Sequence, residues 1–390
     1  MKKAKNTREL IGKATSLLAA TAAICGTLLA QTPAKPDPDV LELNDGEKLI
    51  GHLVSGAGAS LTFHSDAAGD VTIEWAKVKS LKTAEKFAIA EKGVLLDKHS
   101  DVSKIPQGTV SITDQKLAVD PGTGAAPTVI PVAEATNVVP QPNFLNAFKT
   151  PRFDQDWHGT AGLGIDLIRA TQKSRSFTAS VALQRVVSDE SWISPRYKTL
   201  FNLNFADSQL SQSGQKTIST DLLHAGVEHD IYLSRRLFAF VAADFLHSSS
   251  QGMKLQQTYG GGLGYVLLKS DKQELDVKAG IDYIRQSFDA PTPPPILAAP
   301  PSKSLIGASI GELYNRSFSR GVALHEGLTF IPAFNDTSAY TANAFLNLSI
   351  PIGKRLGITI GGIDSYINEP PVGFQKNSFE FVTQIAYKVN

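Results

Sequence analysis

The sequence predicts an all-β chain: about twelve antiparallel strands closed into a transmembrane β-barrel, preceded by a small β-rich periplasmic domain. Three observations carry that prediction. The N-terminus reads as an export signal. From Trp157 onward, apolar and polar residues alternate through segment after segment. The links between those segments alternate between short and long.

Lys2, Lys3, Lys5 and Arg8 make a basic start, and the run Ala14 to Ala30 is apolar and rich in small residues. This is the pattern of a signal peptide over 1–30, cut after Ala30 to leave Gln31 first, although Leu28 is bulkier than the cleavage site prefers. Cys25, the single cysteine, lies inside that segment and follows Ile24, where a lipoprotein signal wants a small residue. The mature chain therefore has no thiol chemistry available. No later stretch approaches the roughly 20 apolar residues of a membrane helix, so any crossing is made by strands.

Residues 31–38 are a Pro-rich linker, and 39–140 form the small β-rich domain. Val40, Leu41 and Leu43 lead into the turn Asn44-Asp45-Gly46, a strong hairpin signal because Asn, Asp and Gly accept positive φ. Strands follow from Leu49 to Val54 and from Ser60 to His64, and Asp70 to Leu81 alternates through Val71, Ile73 and Trp75 to Val78. The domain reads as two related modules, 39–83 and 87–139, since Val129-Ile-Pro-Val-Ala-Glu-Ala mirrors Ile73-Glu-Trp-Ala-Lys-Val. Residues 141–156, with Pro at both ends of 140–151, read as a second linker.

The barrel is assigned to 157–390. Its segments run about 10–14 residues, near the length a tilted membrane strand requires. In Tyr340 to Ile350 the even positions are Tyr, Ala, Ala, Leu, Leu and Ile; the odd positions are polar except Phe345. Phe379, Phe381, Ile385, Tyr387 and Val389 share a face against Ser378, Glu380, Gln384 and Lys388. Tight turns are expected at Ser234-Arg235-Arg236, Ser270-Asp271-Lys272, Phe318-Ser319-Arg320 and Gly353-Lys354-Arg355. Longer links are expected at Asp207 to Lys216, Ser248 to Leu255, Ser287 to Lys303, Pro332 to Ser338 and Asn368 to Lys376. Outer-membrane barrels segregate loop length in this way.

Three stretches carry a resemblance: Gly260-Gly-Gly-Leu-Gly-Tyr-Val-Leu-Leu-Lys-Ser-Asp-Lys-Gln-Glu-Leu275, Leu328-Thr-Phe-Ile-Pro-Ala-Phe-Asn-Asp-Thr-Ser-Ala-Tyr340, and Pro351-Ile-Gly-Lys-Arg-Leu-Gly-Ile with the Asn368-Glu-Pro-Pro-Val-Gly loop. Together they resemble the salt-induced outer-membrane protein family, also called domain of unknown function 481, over most of 155–390. Leu43 to Gly51 resembles a module often placed before such barrels. The resemblance implies an outer-membrane barrel and no agreed activity. The end, Ala386-Tyr-Lys-Val-Asn390, departs from the terminal aromatic common in outer-membrane proteins.

Lys+Arg totals 38 against 37 Asp+Glu, so no basic field draws in nucleic acid. Gly260 to Gly264 lacks the helix and Lys-Ser/Thr of a nucleotide loop. The eight histidines show no metal-ligand spacing; His224 and His229 fall on opposite strand faces, and His158, His247 and His325 are isolated. No nucleophile-elbow motif accompanies them, so no catalytic residue, cofactor or metal is expected. A surface enzyme is the weakest reading.

One polar constellation stands out. A hairpin centred near Ser319 would set Glu312 opposite Glu326, and a loop centred near Pro295 would bring Lys278 beside Glu312. Because charge facing lipid is costly, the three are expected to form one lumen-facing network. The leading functional reading is a small passive pore linked to osmotic or envelope stress. The alternative is a non-conducting barrel whose periplasmic domain binds a partner or the cell wall. Membrane lipid and the outer-membrane assembly machinery are the expected partners in either case.

Overall fold

The computed structural model describes residues 38–169, 172–188, 190–212, 214–215, 217–289 and 301–389. The expected signal peptide over 1–30, Cys25, all but the end of the expected first linker, and most of the loop around Pro295 lie outside the described residues. The chain divides into two compact units, 1–89 with 106–140, and 90–105 with 141–390.

The first unit is a single sheet. Its strands are β1 (Asp39–Leu43), β2 (Lys48–Ala57), β3 (Ser60–Ser65), β4 (Gly69–Glu74), β5 (Val78–Glu91), β6 (Gln107–Thr113), β7 (Lys116–Asp120), β8 (Thr128–Pro131) and β9 (Ala135–Pro140). They are ordered β4-β3-β2-β1-β5-β6-β7-β8, with β9 pairing back onto β2 and β5. Leu41, Phe63, Phe87, Leu117 and Val138 are fully buried in its core.

The alternation predicted through Asp70 to Leu81 breaks at Trp75, where one turn of 3-10 helix (Trp75–Lys77) separates β4 from β5. The spacing explains the break. Trp75 and Val78 are three residues apart and both buried, and a 3-10 turn has a three-residue period where a strand has two. Val132–Glu134 repeats the device between β8 and β9, burying Val132 and Ala135. The mirrored sequences thus take the same strand, 3-10 turn, strand path.

The second unit is a closed antiparallel barrel of twelve strands. They are β10 (Trp157–Arg169), β11 (Gln172–Val187), β12 (Tyr197–Gln212), β13 (Ile218–Tyr232), β14 (Leu237–Ser248), β15 (Met253–Ser270), β16 (Gln273–Phe288), β17 (Lys303–Ser317), β18 (Ala323–Pro332), β19 (Tyr340–Pro351), β20 (Leu356–Ile367) and β21 (Asn377–Val389). β21 closes on β10 with Gly159 opposite Val389. Both ends of the barrel chain lie at one rim, here termed proximal.

The long link expected from Asp207 is shorter than its sequence suggested. β12 continues to Gln212 and pairs with β11 as far as Gln172. Neutral Ser and Gln can extend a ladder with no apolar face to mark it, so alternation fades before the strand does. The second expected linker also changes. Gln141–Ala147 is a short helix, α1, and its Phe144 stacks on Trp192 at 5.3 Å. The Arg196 guanidinium donates to Phe148 O at 2.8 Å, and Arg185 donates to the carbonyls of Pro151, Arg152 and Gln155. Leu96, fully buried, bridges Ile193, and Ser194 N donates to Leu96 O at 2.9 Å. Prolines flanking a segment stop a strand from crossing it, but they permit a helical turn between them.

The outward wall is apolar. Leu163, Ile165, Ile281, Ile310 and Ile385 each leave more than half of their surface uncovered. Eight of the nine tyrosines also face outward by pairing parity. Tyr197, Tyr265, Tyr314 and Tyr387 lie toward the proximal rim; Tyr259, Tyr283, Tyr340 and Tyr366 lie toward the distal one. This is the paired aromatic girdle of a membrane-spanning barrel.

Candidate functional site in the barrel lumen

Charged residues enter the lumen by strict alternation. On β16, Glu274, Asp276 and Lys278 alternate with Leu275, Val277 and Ala279; on β13, Glu228 and Asp230 alternate with Val227, His229 and Ile231. The sheet pleat sends each charged set inward and its neighbours outward.

Lys198 of β12 joins these strands. Its Nζ lies 2.8 Å from Asp276 Oδ2 and 2.9 Å from Glu274 Oε1, with the lysine side chain only 5% exposed. β12 and β16 are four strands apart, about 19 Å of wall at the usual strand spacing. A 2.8 Å contact between them therefore reaches through the interior. Lys269 holds the other oxygen of Glu274 at 2.9 Å. Lys278 donates to both oxygens of Glu228 at 2.7 Å and lies over the Phe240 ring. Asp230, opposite Lys198 in the β12–β13 ladder, is almost wholly buried.

Glycines make room for this cluster. Phe238 and Phe240 face inward, and a Cβ on Gly264 would overlap the Phe238 ring. A Cβ on Gly260 would overlap the Asp282 carboxylate. The glycine run set aside as a nucleotide loop is the part of the wall against which these side chains lie.

At the distal rim, the link between β14 and β15 folds over the mouth. Gln251, fully buried, donates through Nε2 to Ser365 O on β20 at 2.8 Å and to Lys376 O at 3.0 Å. Gln375 N donates to Ser250 O, and Met253, Phe288 and Ile367 pack below. The lumen is thus crossed at two levels.

The network expected of Lys278, Glu312 and Glu326 does not form. The β17–β18 ladder sets Glu312 opposite Leu328 and Glu326 opposite Tyr314, two residues off the expected register. The cause is the turn at Ser319–Gly321, with Arg320 at φ 60° and Gly321 at φ 76°, which centres the hairpin one residue further on. Lys278 pairs with Gly311, so it faces inward while Glu312 shares the outward face with Val277. Glu326 sits level with girdle Tyr314, and Glu312 is one pleat further into the wall; at such a depth a long side chain can still reach polar surroundings. Of the three, Lys278 faces the lumen as expected, but its partner there is Glu228. Glu228, Asp230, Lys198, Glu274 and Asp276 were missed, although their alternation with apolar residues was a usable signal.

Three of the histidines make local contacts. His325 meets Asn315 at 2.7 Å, His229 meets Thr199 at 2.9 Å, and His247 bridges Asp221 and Lys254 O. Among the described residues no group of His, Cys, Asp and Glu is placed to hold a metal ion.

Two solved structures are similar in part. One is the β domain of the Bordetella autotransporter BrkA, at 10% identity, covering 60% of this chain and 97% of that one, with a TM-score of 0.31. The other is the translocator domain of the autotransporter NalP from Neisseria meningitidis, at 9% identity, covering 60% and 87%, also with a TM-score of 0.31. No curated protein matches the sequence. Residues 153–389 match the family model described as "Protein of unknown function, DUF481".

Proposed function

Because the chain belongs to the DUF481 family, whose description carries no activity, we propose a function from its geometry: an outer-membrane barrel closed to passage at rest, which anchors its N-terminal β domain on the periplasmic side. The apolar outward wall between two tyrosine girdles supports the membrane placement. The observation that carries the closed state is the reach of Lys198 through the interior to Asp276 and Glu274. A largely buried cluster of three lysines and four carboxylates occupies the space that a pore would keep wet. Gln251 adds a second barrier at the distal mouth. On this reading the barrel serves as an anchor, and catalysis plays no part in it.

Planar-bilayer recording of the purified protein tests the proposal. The expected trace shows no steady conductance steps. Stable, ohmic steps from the unmodified protein would establish the passive-pore reading instead.

A further inference from the structure

Three of the proximal turns repeat one motif that stands apart from the lumen cluster. Leu233-Ser234-Arg235-Arg236, Phe318-Ser319-Arg320 and Ile352-Gly353-Lys354-Arg355 each present an apolar residue, a small residue and then one or two cations. Leu233 and Ile352 are about three-fifths exposed, and the cations beside them are exposed too. A buried role would cover these side chains, and a purely aqueous one would not choose Leu, Phe and Ile.

The clearest instance lies between two adjacent hairpins. An open hollow of about 360 Å³ is lined by Ser270, Lys272, Gln273, Arg316, Phe318 and Ser319. The Arg316 guanidinium lies over the Phe318 ring at 5.0 Å, and Ser317 N donates to Lys272 O at 2.7 Å, tying the hairpins together. Two carboxylates stand nearby: Asp271 in the same turn, and Glu326, one pleat into the wall and diagonal to Arg316. Neither engages these cations. Among the described residues Lys272, Arg316, Arg320 and Lys354 form no ion pair. Distal Lys303, by contrast, is committed to Glu369 at 2.6 Å.

We infer that this hollow binds the headgroup of an anionic phospholipid in the leaflet at the proximal rim, with Arg316 and Lys272 on the phosphate and Phe318 among the first carbons of the chains. The inference rests on the membrane-barrel reading. A guanidinium stacked on a ring keeps its planar fork free for two phosphate oxygens, and the hollow lies just beyond girdle Tyr314, at headgroup depth. An exposed aromatic beside paired cations suits a molecule that is apolar on one side and anionic on the other. A soluble anion would leave Phe318 unused.

The test is fluorescence quenching in vesicles, with Phe318→Trp as reporter and the unsubstituted protein as background. Brominated phosphatidylglycerol should quench the reporter several-fold more effectively than brominated phosphatidylcholine at equal mole fraction, each cation being worth roughly fivefold. The preference should collapse toward unity in Lys272→Gln/Arg316→Gln, while a distal Tyr283→Trp reporter shows none in either background. Equal quenching at the proximal reporter, or a preference that survives the double substitution, overturns the site and leaves the barrel standing. Quenching by neither lipid overturns the membrane placement and the site together.

Discussion

Replacing Lys198 by Met tests whether the lumen is held shut by charge. Lys198 and Asp276 are nearly buried, with side-chain exposures of 5% and 3%, so removal of the ammonium strands Asp276 without its counter-charge. Glu274 keeps Lys269, which limits the damage. Breaking a buried pair from one side costs about 3–5 kcal/mol. With a urea slope of about 2 kcal/mol per molar, the unfolding midpoint in lipid vesicles should fall by roughly 2 M. Adding Asp276→Asn should recover much of the loss, because the unpaired charge goes with it. The double-mutant cycle should therefore show coupling above about 1 kcal/mol. A loss below about 1 kcal/mol for the single variant, or additivity within about 0.5 kcal/mol, would refute the reasoning.

Three further outcomes are expected. Gly264→Val should destabilise the barrel by about 1–3 kcal/mol through overlap with Phe238, and Phe238→Leu in the same chain should relieve it; equal midpoints for Gly264→Val and the parent would show that the wall is not close-packed there. Asp336 and Glu369 lie in distal loops with carboxyl pKa values below the ordinary range, Asp336 chiefly through the Ser338 hydroxyl and Glu369 through Lys303. Their contribution is present above the unfolded carboxylate range and is lost as pH falls through the folded values, so acid should raise protease cutting in 333–339 and 368–376; cutting that is independent of pH counts against it. Protease added to intact cells should nick 291–301 and spare Arg235-Arg236, where Arg235 is tied to Trp192 O and Ser194 Oγ; the reverse pattern would invert the barrel.

Much of this fold is legible because alternation is a strong signal wherever one side of a wall is apolar. Tyr340 to Ile350 shows it, and even its exception is informative: Phe345 faces the lumen and covers Gly327, whose missing side chain leaves room for the ring. The register of β17 on β18 was not legible. It depends on the backbone conformation of Arg320, and a one-residue shift of a hairpin centre moves every cross-strand partner by two. The lumen cluster was half legible. Parity shows that Lys278, Asp276 and Glu228 face inward, but only the curvature of the closed wall decides that Lys198 meets Asp276 from four strands away. The 90–105 segment left no trace in the sequence, because a contact through a single buried Leu96 has no periodicity.

That segment also sets an order of events during biogenesis. Leu96 and Ile193 are bridged across nearly a hundred residues, and Ile193 belongs to the connection from β11 to β12. The bridge depends on the β11–β12 connection being in place, and so on the pairing of those two strands. Until they pair, Leu96 stays accessible to chaperones and proteases, and once they pair it is withdrawn. Accessibility of 92–100 is therefore a clock for maturation: a chain whose barrel stalls keeps presenting an apolar residue that a completed one has hidden.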